Sequence, residues 1–234
     1  DCRDPRNQRL MTISIAARCE RTGAFGVAIS SSSPAVGSRC PNVRAGVGAV
    51  SSQNITDPRL GPALLDALES GLGAQAALDS VSATATHPEF RQLTVVDITG
   101  DSAVDSGEKS LGINAQVTGR NVAAAGNMLA NPDVINAMVD SFTNNHDKEL
   151  ADRLIQALEA GVEAGGEAGP VHSAAVLVAT DVEWPSTNLR VDWDENPIAK
   201  LRELYKVWAP QAQDYVTRAL NPNSAPSYGV PGDE

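Results

Sequence analysis

Aromatic side chains are scarce: three Trp, three Tyr and three Phe in 234 residues. A core built from this chain has to be aliphatic and alanine-rich. The 19 glycines and alanine-rich apolar runs imply close backbone packing between layers. Cations are in deficit too, with 18 Lys and Arg against 29 Asp and Glu, a net charge of -11. That field argues against nucleic acid and anionic membrane as partners, because both would be repelled. No apolar run approaches the ~20 residues needed to span a bilayer. The opening stretch Asp1 to Leu10 lacks the apolar centre of a secretory leader. Three cysteines, Cys2, Cys19 and Cys40, form no metal-spaced pair and no dense disulfide framework. The expectation is a cytoplasmic protein with incidental thiols. Also missing are a Gly-Xaa-Ser-Xaa-Gly elbow, a phosphate loop, a dinucleotide fingerprint and a histidine–carboxylate cluster, so neither cofactor nor metal is expected.

What is present is concentrated between Thr12 and Asn54. Thr12-Ile13-Ser14-Ile15 alternates polar and apolar residues, the mark of a half-buried strand. Glu20 to Gly23 is a turn, and Phe25 to Ile29 returns as a second strand, apolar enough to lie inside a sheet. Four serines, Ser30 to Ser33, follow. The run Val43 to Val50 is expected as a third strand, ending in Ser51-Ser52-Gln53-Asn54. Hydroxyl and amide side chains therefore collect at strand ends, where chemistry is expected.

Further along, Leu60, Leu64, Leu65 and Leu68 share one helical face, and Gln75 to Ser82 forms a second short helix. Leu93 to Ile98 is a strand, with Ala103-Val104 beginning its hairpin partner. Gly107 to Gly119 is expected as a surface loop. Asn121 to Leu129 is a strand narrowed by alanines. Asn131-Pro132 and Asn196-Pro197 each place a capping residue before a proline that opens a helix. Between those two helices fall another, opened by Asp147, a buried strand at Ser173 to Ala179 and an edge-like one at Leu189 to Trp193.

The order is strands, helices, strands, helices, strands, helix, without the alternation of a doubly wound sheet. Adjacent strands joined by short turns favour antiparallel pairing. The expected fold is α+β: a four-layer αββα sandwich of two antiparallel sheets flanked by helices. Residues 1–11 are expected as an extension, 12–208 as one domain, and 209–234 as a helix end and mobile tail. Met11 before Thr12 looks like an alternative start.

The blocks MTISIAAR, GVAIS, RAGVGAVSSQ, RQLTVVD, AAGNMLANPDVINAM, SAAVLV and LRVDWDENPIAKLREL, in order from Met11 to Leu204, resemble a bacterial family, domain of unknown function 1028. That family looks like a branch of the N-terminal nucleophile (Ntn) hydrolases, whose fold is the same sandwich. The resemblance implies cleavage of amide bonds by the first residue of a mature chain. In proteasome-like members a threonine starts the first strand, a basic residue begins the third, and a backbone amide after it supplies the oxyanion hole. Thr12, Arg44 and the Ser51-Ser52-Gln53 turn occupy comparable places. The usual lysine is replaced by Arg44, and no acid matches the one that often follows the second strand.

A threonine hydroxyl needs a base within hydrogen-bond reach. In this chemistry the base is the α-amine of the same residue, whose pKa near ~7.7 suits neutral pH. With Met11 attached, Thr12 is an ordinary strand residue; once Met11 is removed, the amine appears. Arg44 would depress the amine's pKa or hold a substrate carboxylate. Amides near Ser52 and Gln53 would stabilise an oxyanion. Ser31, Ser33 and Asn127 are the candidate substrate contacts, and His172 is the histidine worth testing, though a satisfied core histidine is the plainer reading. The expected function is a small-molecule amidohydrolase acting on an amide or ring urea, possible as a homodimer. The alternatives are a non-catalytic ligand-binding or assembly protein, and a hydrolase using Ser52 or Cys40.

Overall fold

A computed structural model describes residues 11–230. The expected extension at 1–10 and the last four residues of the tail lie outside the described residues. The chain is α+β, with two antiparallel sheets and helices on them. The first sheet has six strands: β1 (Thr12–Arg18), β2 (Phe25–Ser31), β7 (Ala115–Gly119), β8 (Val122–Asn127), β9 (Ser173–Ala179) and β10 (Thr187–Val191), ordered β10-β9-β2-β1-β8-β7. The second has β3 (Pro41–Arg44), β4 (Gly48–Asn54), β5 (Arg91–Asp97) and β6 (Ser102–Ser106), in chain order.

Alternation decides which way each strand faces. Ile13, Ile15 and Ala17 pack with α3 (Asp133–Asn144), α4 (Leu150–Glu163) and α5 (Pro197–Trp208) in one aliphatic cluster. Val50, Leu93 and Val95 do the same beneath α1 (Leu60–Glu69) and α2 (Ala74–Thr84). A third cluster, Ala16, Phe25, Val27, Ala49, Val96 and Ala123, lies between the sheets. With alanine at three of those six positions, the sheets approach closely there. Among the described residues no helix is long and apolar enough to cross a membrane.

Three expectations need correction. The run Val43 to Val50 is not one strand: Ala45-Gly46-Val47 turns the chain between β3 and β4, with Gly46 at φ +68°, where a side chain would be strained. The stretch expected as loop, Gly107 to Gly119, contains β7, an edge strand of half-buried and exposed residues in alternation. The stretch expected as a helix end after residue 208 includes α6 (Ala212–Leu220), whose Tyr215 stacks on Trp208 with ring centroids 5.0 Å apart. Asn131 accepts a hydrogen bond from the Asp133 amide (2.9 Å) at the start of α3, but Asn196 makes no side-chain cap on α5.

Candidate functional site

β1 and β2 pair so that Thr12 stands opposite Ser31, and β1 and β8 so that Thr12 stands opposite Asn127. The inner face of the first sheet therefore changes character along β1. Ala16 belongs to the apolar cluster between the sheets, while Ser14 and Thr12 are polar. The second sheet matches it residue for residue: Ala49, Ser51, Gln53 along β4, and Val96, Thr94, Gln92 along β5. One end of the inter-sheet space is hydrocarbon, the other hydroxyl and amide.

At the polar end the side chains are linked. Gln53 Nε2 donates to Gln92 Oε1 (2.7 Å) and to the Ala125 carbonyl (3.1 Å); Asn127 Nδ2 donates to the same Gln92 oxygen (3.1 Å). Yet Ser14 Oγ, Ser51 Oγ, Thr94 Oγ1, Gln53 Oε1 and Asn127 Oδ1 are buried and without a hydrogen-bond partner. Buried polar groups are nearly always satisfied, so five such atoms in one region mark a place built to meet something polar.

Beside this region a line of hydroxyls leads to the Met11–Thr12 peptide. Ser31 Oγ lies 3.1 Å from Thr12 Oγ1 and 2.8 Å from Ser33 Oγ, and it donates to the Met11 carbonyl at 2.5 Å. Ser31 has a single hydroxyl proton; with that proton on Met11, its two lone pairs are shared among the Thr12 hydroxyl, the Ser33 hydroxyl and the Ser33 amide (3.1 Å). Arg39 Nη2 donates to Ser33 Oγ (2.5 Å) and Nη1 to the Pro34 carbonyl (2.6 Å). Hydrogen bonds thus connect a guanidinium through two serines to a peptide carbonyl. A second donor, the Ser32 amide, reaches the same Met11 oxygen at 3.3 Å, and the Met11 amide donates to Ser32 Oγ at 2.9 Å. The serine segment is held from behind, Ser173 Oγ donating to the Ser33 carbonyl (2.6 Å) and accepting from the Val36 amide (3.2 Å). Gly37 lets it pack: a Cβ there would fall 2.4 Å from the Cβ of Ala175.

Met11, counted with the expected extension, is 2% exposed. Thr12 is 6% exposed, among polar neighbours rather than in the aliphatic interior. Arg44, however, is not beside it. Its partner is Gly48, five residues along β4 from Gln53, about 17 Å at ~3.4 Å per residue. Its side chain turns to the helix face and pairs with Asp66 (2.9 Å) and Glu69 (2.7 Å) on α1. The Ser52 amide is already given to the Cys40 carbonyl (3.1 Å), and Ser52 Oγ donates to the Asp57 carbonyl on the helix side (3.3 Å). Burial pushes the Cys40 thiol up, and its hydrogen bond with Thr56 offsets this only in part, which makes it a poor nucleophile. Among the described residues no group of three or more His, Cys, Asp or Glu side chains could hold a metal ion.

A family model, "Family of unknown function (DUF1028)", matches residues 12–201. The chain belongs to the DUF1028 family. It is similar to a crystal structure of a DUF1028 protein from Silicibacter pomeroyi, at 30% identity over 87% of this chain and 94% of that one, with a TM-score of 0.80. A looser likeness is to Anbu (ancestral beta-subunit) from Yersinia bercovieri, with 10% identity, 85% and 97% coverage, and a TM-score of 0.38. No curated protein matches the chain in sequence.

In this DUF1028 chain the residues that sequence reasoning missed are Arg39, Gln92 and Glu167. Glu167 follows α4 in an isolated bridge to Leu129, beside the end of β8. Burial pushes its carboxyl well above the usual range, against a smaller downward pull from the nearby Ser32 amide. Neither carboxyl oxygen has a partner at hydrogen-bonding geometry. His172 flanks the same serines: its amide donates to the Ser31 carbonyl (2.8 Å), and its ring stacks on Trp193 at 4.2 Å. Contrary to expectation it is not a satisfied core histidine, since Nδ1 is buried without a partner.

Proposed function

We propose that this chain is a hydrolase of the Ntn type, an αββα sandwich that cleaves a C–N amide or ring-urea bond of a small molecule with Thr12 as nucleophile. Support for the sandwich comes from the three core clusters, one under each helix layer and one between the sheets. The carrying observation is the Met11 carbonyl, which accepts from Ser31 Oγ and the Ser32 amide beside the Thr12 hydroxyl. Two donors converging on one carbonyl oxygen is the geometry that stabilises a tetrahedral oxyanion. Ser31 and Ser32 thus take the role first expected of Ser52 and Gln53.

With Met11 absent, the Thr12 α-amine takes the hydroxyl proton while Oγ1 attacks the substrate carbonyl carbon. The C–N bond breaks, the proton passes to the leaving nitrogen, and water hydrolyses the Thr12 ester. Arg39, working through Ser33 and Ser31, replaces Arg44 as the cation that keeps the amine neutral. The unpartnered oxygens of Gln53 and Asn127 suit the N–H groups of an amide or urea.

The test is a hydrolysis screen over linear amides and ring ureas with chain beginning at Thr12. Turnover that disappears in Thr12→Ala supports the reading; turnover unchanged in Thr12→Ala ends it. A second reading, non-catalytic ligand binding, is favoured by the burial of Met11 and the bonding of both its amide and its carbonyl. Intact mass of protein made from the native gene separates the two: a chain starting at Thr12 supports catalysis, and one retaining Met11 supports binding.

A further inference from the structure

We propose that a second site, at the opposite end of β1 from Thr12, binds a small oxyanion between Arg18 and Arg153. The six steps from Thr12 to Arg18 span about 20 Å, so the two places are separate. A cleft of about 630 Å³ opens there, with Arg18, Cys19, Asn121, Phe142 and Arg153 at its floor. That volume lies in the range of small-molecule sites.

Arg153 is 6% exposed. It lies flat on the Phe142 ring, 3.8 Å from the centroid, and gives Nε (3.3 Å) and Nη2 (3.0 Å) to the Phe142 carbonyl. Arg18 is half-buried; Nη1 donates to Asn121 Oδ1 at 3.3 Å, and Nε is buried without a partner. Among the described residues neither guanidinium is within ion-pair distance of a carboxylate, although Arg153 bonds the Cys19 side chain and is attracted by Asp147 from beyond that distance, and neither can shed its proton. A buried, uncompensated charge is among the more costly features a fold can carry. By contrast, the exposed arginines at the rim are paired, Arg21 with Glu149 (3.0 Å) and Arg120 with Asp101 (2.7 Å).

The rim also carries Glu20 and Asp147, both exposed, which would oppose an anion from outside. The net charge of -11 opposes it at long range as well. A fold that is acidic overall yet keeps two cations at the floor of one cleft has placed them for a local purpose. Cys19 could answer one of the charges as a thiolate. Its burial raises its pKa, but hydrogen bonds from Thr22 and the charge of Arg153 carry it below the ordinary range. The charge of Arg18 would still be unanswered. Guanidinium forks match phosphate and carboxylate oxygens two at a time, which defines the ligand class.

Isothermal titration of the full chain, at fixed ionic strength with sodium chloride as balance, tests this with inorganic phosphate in one arm and citrate in the other. Saturable binding of at least one anion is expected, with Kd below about 1 mM. Arg18→Gln should weaken it by at least about tenfold, the loss of one two-pronged contact. Arg18 is only half-buried, so this variant keeps its fold; Arg153→Lys, which retains the charge without the fork, should weaken it too. The tighter anion names the headgroup. Absence of saturable binding by both anions up to about 10 mM, or affinity unchanged in Arg18→Gln, would overturn the proposal. Neither result bears on Thr12.

Discussion

Thr12 and Ser31 face each other across β1 and β2 with their hydroxyl oxygens 3.1 Å apart, and Ser31 spends its own proton on the carbonyl of Met11. Any hydrogen bond between the two hydroxyls is therefore donated by Thr12. Its lone pairs are turned away from Ser31, and its hydroxyl sits beside the peptide whose removal would expose the amine. The local sequence supplies this directly: alternation in the first half of β1 puts Thr12 and Ser14 on the inner face, and the register sets Thr12 opposite Ser31 at the end of β2.

Replacing Thr12 by Val keeps the shape and removes the hydroxyl, so stability should fall by only about 1 kcal/mol, one buried hydrogen bond. Hydrolysis by chain starting at position 12 should vanish in this variant and persist, reduced, in Thr12→Ser. Denaturant unfolding and product assay on the same preparations check both.

Arg39→Gln and Arg44→Gln should behave oppositely. The first breaks the link to Ser33 and should lower kcat/KM by about tenfold or more, comparable to losing one charge-assisted contact. The second removes two exposed ion pairs to Asp66 and Glu69, with stability changing by less than about 1 kcal/mol and kcat/KM unchanged.

Glu167 should make the protein less stable as pH rises. Its folded pKa lies above its unfolded value of about 4.3, so between the two the folded state holds the extra proton. Stability is unaffected below the unfolded pKa and then falls, by at most about 1.4 kcal/mol per pH unit, until the folded pKa is passed. Glu167→Gln removes that fall. The variant should match the parent near about pH 4 and exceed it at neutral pH in denaturant titrations.

Asp97 has the opposite sign. Burial raises its carboxyl, but hydrogen bonds outweigh that: from Thr99 Oγ1 (2.8 Å) and the amides of Ala74 (2.9 Å), Thr99 (2.9 Å) and Asp101 (3.0 Å). Its stabilisation is complete above the unfolded pKa near 3.9 and is lost as pH falls through the lower folded value. Asp97→Asn should cost about 2 kcal/mol at neutral pH, since an amide nitrogen would face the Ala74 N–H at the start of α2. The cost should shrink on acidification, which urea titrations at several pH values would show.

Much of the fold was legible because alternation marks the start of β1, unbroken apolar runs mark β2 and β9, and period-3.6 stripes mark α1, α3 and α4. The failures have local causes. Ala45-Gly46-Val47 is as apolar as the strands it joins, so the β3–β4 turn has no polar mark. β7 shows its alternation only through Ala115 and Val117, in a stretch otherwise made mostly of glycines and polar or charged residues. The site was half legible. Thr12, Ser31, Gln53 and Asn127 collect at one end because each lies on the inner side of its strand, and Ser33 follows two residues beyond the end of β2. Arg44 misled, since an arginine opening an apolar strand suggests burial, while parity sends it to the helix side. Arg39 and Glu167 sit in irregular segments, where no period says which way a side chain points.

The most direct test treats chain beginning at Thr12 with a β-lactone, which acylates an activated threonine hydroxyl whatever the natural substrate, and locates the adduct by peptide mass spectrometry. A single adduct on Thr12 is expected, absent from Thr12→Val and from chain that retains Met11. Equal labelling with Met11 in place, or no labelling of Thr12 in the chain that begins with it, would contradict it.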